Sequence, residues 1–72
     1  MKFNELLKET REKKGLLKKE VATMFDWTAM YYGRYETGDI LPTQNNIQRF
    51  ADFIGISKTD LEKIINNSRR DV

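Results

Sequence analysis

Six basic side chains (Lys8, Arg11, Lys13, Lys14, Lys18 and Lys19) fall between Lys8 and Lys19 against only Glu9 and Glu12. That is a local excess of about +4 in a chain whose net charge is +2. Ammonium and guanidinium groups gathered in this way can neutralise phosphates. The same run also reads as a solvated helix face carrying i,i+4 pairs such as Glu9–Lys13, and the two readings are compatible. Further along stands Arg34, whose planar guanidinium can hold the two acceptors of a guanine edge or, alternatively, a phosphate.

Other chemistry is removed by composition. The 72 residues include no Cys and no His, so disulfides, Cys/His metal sites, thiol nucleophiles and imidazole acid–base work are unavailable. Eleven carboxylates remain, but no acid pair is clustered and no glycine-rich phosphate loop is present, so the chain is not read as an enzyme and no cofactor or metal is expected. No apolar run is long enough to span a membrane or to serve as a signal peptide. The lack of Cys fits a reducing compartment, and the expected location is the cytoplasm. The length makes one domain with a modest core.

Five helices must position these groups. The first runs from about Phe3 to Lys14, with Phe3, Leu6, Leu7 and Thr10 inward at 3- and 4-residue spacing. Gly15 ends it, because glycine accepts the left-handed conformation without a Cβ clash. The second runs from about Lys18 to Phe25, with Leu17, Val21, Ala22 and Phe25 inward, and Asp26 follows at a position suited to positive φ. Thr28 caps the third helix, which ends at Gly38 with Tyr32 and Tyr35 inward. Two short helices joined by a tight turn, with the small Ala22 midway along the first, have the layout of a helix-turn-helix, in which one helix is held against DNA phosphates and the next lies in the major groove.

Asp39 to Pro42 is a loop, and Thr43 is the N-cap of a fourth helix with Ile47, Phe50, Ala51 and Ile54 as its buried stripe, stopped by Gly55. Ser57-Lys58-Thr59-Asp60 resembles a capping box with Asp in place of Glu, opening a fifth helix with Leu61, Ile64 and Ile65 inward. Asn66 to Val72 reads as a frayed, weakly basic tail, which divides the chain into a domain over 1–65 and a tail over 66–72. No strand-length alternation is present, so the fold class is all-α. The intact Met1 and the short tail favour a whole small protein.

The chain resembles the lambda-repressor-like, Cro/C1-type (XRE) helix-turn-helix DNA-binding domain over about Phe3 to Ile65. The carriers are Arg11, Gly15-Leu16, Glu20-Val21-Ala22, Thr28, Arg34-Tyr35-Glu36-x-Gly38, Pro42-Thr43, and Ala51 through Gly55-Ile56-Ser57. No single piece is diagnostic; the ordered set at these spacings is specific. The resemblance implies a compact five-helix fold with the third helix as the recognition helix. It also implies a structural ion pair between Arg11 and Glu36 that locks that helix to the scaffold, so Arg11 is assigned to the scaffold and not to phosphate.

The resemblance also implies where DNA lies. Base contacts fall to Thr28, Ala29, Met30, Gly33, Arg34 and Thr37. Ala29 and Met30 cannot make bidentate hydrogen bonds but can touch a thymine methyl group. Arg34 is the only long hydrogen-bonding side chain on that face. Family members hold a phosphate at the start of the second helix with a glutamine; here the position is Lys18, which adds charge. Lys19 either reaches a neighbouring phosphate or is solvated, and Tyr31 lies near a phosphate or faces a partner. The cap before Lys18, usually Ser, Thr or Asn in the family, is Leu17, so that residue either packs or the helix begins differently. Gly33 interrupts the recognition helix, either for close approach to DNA or because the helix reads DNA poorly. Trp27 is assigned to the core. Asp39, where the family often carries a base, repels phosphate.

The leading expectation is a sequence-specific double-stranded DNA-binding transcriptional regulator, a repressor of prokaryotic, phage or mobile-element origin, nucleoid-associated. It binds a pseudo-palindromic operator as a homodimer, at least on DNA. Ile40 and Leu41, or Ile64 and Ile65, are candidate dimer contacts whose ordinary role is core. The alternative is a helix-turn-helix fold used as a protein-interaction module, an antitoxin- or antirepressor-like adaptor, motivated by the sparse polar groups of the third helix.

Overall fold

In the computed structural model, which describes residues 1–70, five helices follow one another: α1 (Phe3–Lys13), α2 (Lys18–Met24), α3 (Ala29–Thr37), α4 (Gln44–Ile54) and α5 (Lys58–Arg70). No strand occurs among the described residues, and no helix there is long and apolar enough to cross a membrane. Each helix buries one stripe. α1 contributes Phe3 and Leu7, α2 Val21 and Ala22 with Phe25 just beyond it, and α3 Tyr32 and Tyr35. Ile47, Phe50, Ala51 and Phe53 come from α4, and Leu61 and Ile65 from α5. α3 packs against α2 and α1, and α5 closes the domain against α4 and α1.

Phe50 is the centre of an aromatic cluster. Its ring lies 5.2 Å from Phe3, 4.9 Å from Phe25, 5.7 Å from Trp27 and 5.0 Å from Tyr35, centroid to centroid. Edge-to-face and tilted pairs at these separations add to the stabilisation from area burial alone. Trp27 is half-buried and stacks between Phe25 (4.9 Å, 15°) and Tyr35 (5.2 Å, 18°), so the turn residue belongs to the core as expected. Ile40, Leu41 and Ile64 are half-buried against the same core and Ile65 is buried.

In α5 and α4 two features differ from the sequence reading. α5 runs on through Arg70, where a frayed tail was expected from Asn66; the remainder of that expected tail, Asp71 and Val72, lies outside the described residues. The added helix has a tertiary cause. The Ser68 hydroxyl accepts a bond from the Phe3 amide (2.8 Å) and donates to the Ile64 carbonyl (2.9 Å). It thereby satisfies one of the orphan donors at the start of α1 from the far end of the chain. Phe53 is the second. It is buried edge-on to Phe25 (5.9 Å), whereas the expected stripe residue Ile54 is only half-buried.

Candidate nucleic-acid interface

α2 begins without a side-chain acceptor at its N-cap. Leu17 is 57% exposed, so it is neither cap nor core and the expectation that it faces inward is corrected. Glu20 supplies the reciprocal half of a capping box, its Oε1 accepting from the Leu17 amide at 2.8 Å. Lys18 and Lys19 follow in the exposed first turn.

The turn into α3 is tight. Asp26 takes φ 64°, and the Trp27 amide donates back to the Ala22 carbonyl at 2.8 Å. An aspartate tolerates this left-handed conformation better than most residues because its short side chain can bond locally. Thr28 then caps α3, its hydroxyl accepting from the Tyr31 amide at 3.1 Å. Gly38 ends the helix at φ 88°, where an L side chain is strained.

Between these ends α3 has two unlike faces. Tyr32, Tyr35 and Glu36 are buried. Thr28, Ala29, Met30, Arg34 and Thr37 are exposed, Met30 to 84%. Gly33 is half-buried, yet a Cβ placed on it would meet nothing within 4 Å. Five of the six positions expected to face bases are thus exposed, and the sixth, Gly33, has open space where a side chain would project. Arg34 makes no salt bridge among the described residues, and neither do Lys18 and Lys19. Tyr31 sits at the rim, its ring edge-on to Trp27 (5.0 Å) and its hydroxyl 3.0 Å from that of Tyr35. Asp39 is exposed directly after the helix.

The inner face is held by charge. Arg11 Nε and Nη2 donate to Glu36 Oε2 and Oε1 at 2.6 and 3.2 Å, and Arg11 Nη1 donates to the Leu16 carbonyl at 2.9 Å. The Tyr32 hydroxyl adds a short bond to Glu36 Oε2 at 2.5 Å. Burial pushes the Glu36 carboxyl up, but the bonds from Arg11 and Tyr32 and the nearby Arg11 charge outweigh it and hold the group below the usual range. The bond to Glu36 raises Arg11, against an opposing effect of burial. Burial first and the Glu36 bond second push the Tyr32 phenol up; burial and then the Tyr31 bond do the same for Tyr35.

The basic run seen in the sequence divides in three dimensions. Arg11 turns inward, Lys13 pairs with Glu9 at 3.2 Å on the α1 surface, and the Lys14 amine lies 5.4 Å over the Phe53 ring. One contributor was not visible in the sequence. Arg49 of α4 donates through Nη2 to the Phe25 carbonyl at 2.7 Å, with its guanidinium over Phe25 (4.9 Å) and Trp27 (5.3 Å). No local motif marks it, because Phe25 and Trp27 lie more than twenty residues earlier in the chain.

Set beside known proteins, residues 7–69 match a family model described as Helix-turn-helix. No curated protein and no solved structure matches the chain.

Proposed function

The chain belongs to the Cro/C1-type (XRE) helix-turn-helix family of DNA-binding regulators, and on that premise we propose that it is a sequence-specific transcriptional repressor. It inserts α3 into the major groove of double-stranded DNA. Thr28, Ala29, Met30, Gly33, Arg34 and Thr37 face base edges; Lys18, Lys19 and Tyr31 face phosphates. It works in the cytoplasm on nucleoid DNA, with no cofactor. It binds as a homodimer, at least on DNA, to a pseudo-palindromic operator whose half-sites lie one helical turn apart, roughly 34–36 Å.

The observation that carries this reading is the division of α3. Its inner face is fixed by the buried Glu36 while its outer face leaves Arg34 without a charge partner among the described residues. A guanidinium held on a rigid helix and left uncommitted suits bidentate recognition of guanine O6 and N7. The test is selection of bound sequences from a random duplex pool, followed by titration of the enriched duplex across a salt series. A two-fold symmetric motif supports the reading, and a steep salt slope with no motif reduces it to non-specific phosphate binding.

The 84% exposure of Met30, beside Ala29, favours a second reading, in which the same face is an apolar contact for a protein partner. Absence of duplex binding at low salt, together with protection of Ala29 and Tyr31 by a partner, supports that adaptor reading.

A further inference from the structure

α3 is tied at its C-terminal end by Glu36, but nothing in the family-level reading ties the turn that leads into it. α2 carries no basic residue in its last turn. The final carbonyls of a helix lack internal partners and carry partial negative charge. Phe25, the residue that closes α2, has its carbonyl satisfied from outside, by Arg49 of α4 at 2.7 Å. The same guanidinium lies over the Phe25 and Trp27 rings at 4.9 and 5.3 Å, and its Nη1 is 3.4 Å from Asn46 Oδ1.

We propose that Arg49 is a positioning residue for DNA recognition: it clamps the α2–α3 turn to α4 and so sets the angle at which α3 meets the duplex. This rests on the regulator reading above. Arginine suits the position because its fork of five donors can bond the Phe25 carbonyl and reach Asn46 while the delocalised cation stays beside the two aromatic rings, where an ammonium is a compact, more strongly hydrated point charge. The leverage is geometric. A nine-residue helix is about 13 Å long, so a tilt of about 5° about Glu36 moves the first turn of α3 by about 1 Å. That displacement carries a hydrogen bond at Thr28 or a methyl contact at Met30 outside its working range.

The test compares wild type with Arg49→Lys and Arg49→Met at a temperature well below every melting midpoint. Three quantities are read: affinity for the enriched duplex, the salt slope of that affinity, and amide exchange at Trp27 against Ile47. Both variants are expected to lose about tenfold in affinity, the cost of one base contact, with an unchanged salt slope and faster exchange confined to the Trp27 side. Full affinity in Arg49→Lys, with a slope reduced by about one in Arg49→Met, makes Arg49 a direct phosphate contact and overturns the proposal. A lower melting temperature with unchanged affinity reduces Arg49 to scaffold and also overturns it. If the wild type selects no duplex, the regulator reading fails and the DNA part of the proposal falls with it. Trp27 exchange then decides the clamp alone, with unchanged exchange in both variants removing it.

Discussion

Arg11 of α1 and Glu36 in the last turn of α3 meet through two hydrogen bonds, with side chains only 11% and 2% exposed. The pair joins α1 to the end of α3 and leaves neither charge much water. Breaking a buried pair by removing one member strands the other, at a cost of about 3–5 kcal/mol. A domain of this size has a total stability of roughly 4–11 kcal/mol. Arg11→Met therefore takes a large share of it, and the expected result is a clear fall in melting temperature by circular dichroism. An unchanged midpoint would sink the claim that the pair locks α3.

The same pair makes stability acid-sensitive. Glu36 is held below its ordinary value of 4.5 in the folded chain. A carboxyl lowered on folding stabilises fully above its unfolded value, and the contribution disappears as the pH falls through the folded one. Urea midpoints should thus be insensitive to Glu36 near neutrality and fall below about pH 4.5. Glu36→Gln should start lower at neutral pH and lose less on acidification. Parallel acid limbs for the two proteins would show that other carboxyls are responsible.

The sequence made much of this legible, for identifiable reasons. The φ of Asp26 and the ends at Gly38 and Gly55 follow from backbone chemistry that is local to each residue. Val21, Ala22, Tyr32 and Tyr35 follow from helical spacing, and Arg11–Glu36 from the family pattern. What stayed hidden depends on partners far along the chain. The Ser68 bond to Phe3 spans 65 positions and that of Arg49 to Phe25 spans 24, so neither leaves a local mark. Leu17 misled because a leucine beside an apolar stripe looks inward, while the N-cap geometry turns it to solvent.

Leu17 also offers a simple gain. It packs little and cannot cap, so Leu17→Ser should add a bond to the first turn of α2 and stabilise the domain by about 1 kcal/mol. Its counterpart, Glu20→Ala, removes the 2.8 Å bond to the Leu17 amide and should destabilise. Chemical denaturation of the two variants should bracket the wild type. If Leu17→Ser is the less stable protein, the leucine has a packing role that its exposure does not reveal.

Gly33 separates folding from recognition. An added methyl meets open space, and alanine is favoured over glycine inside a helix by about 1 kcal/mol. Gly33→Ala should therefore raise the unfolding midpoint. If the glycine serves close approach to DNA, the same variant binds the enriched duplex more weakly despite being more stable. Equal affinity would leave Gly33 as a position the interface does not use.

Ser68→Ala tests the long-range cap. Losing the acceptor for the Phe3 amide should cost on the order of 1 kcal/mol, with amide exchange faster at Phe3 and in the last turn of α5. Exchange unchanged at Phe3 would mean that the amide finds another partner.

The central claim is that the outward face of α3 reads base edges through Arg34. Its most direct test is a fluorescence anisotropy titration of the enriched duplex and a scrambled duplex of equal length, with wild type and Arg34→Ala at fixed salt. The account predicts that wild type prefers the enriched duplex and that Arg34→Ala loses about 1–3 kcal/mol on it, with little change on the scrambled one. Equal losses on both duplexes would make Arg34 a phosphate contact and contradict the claim.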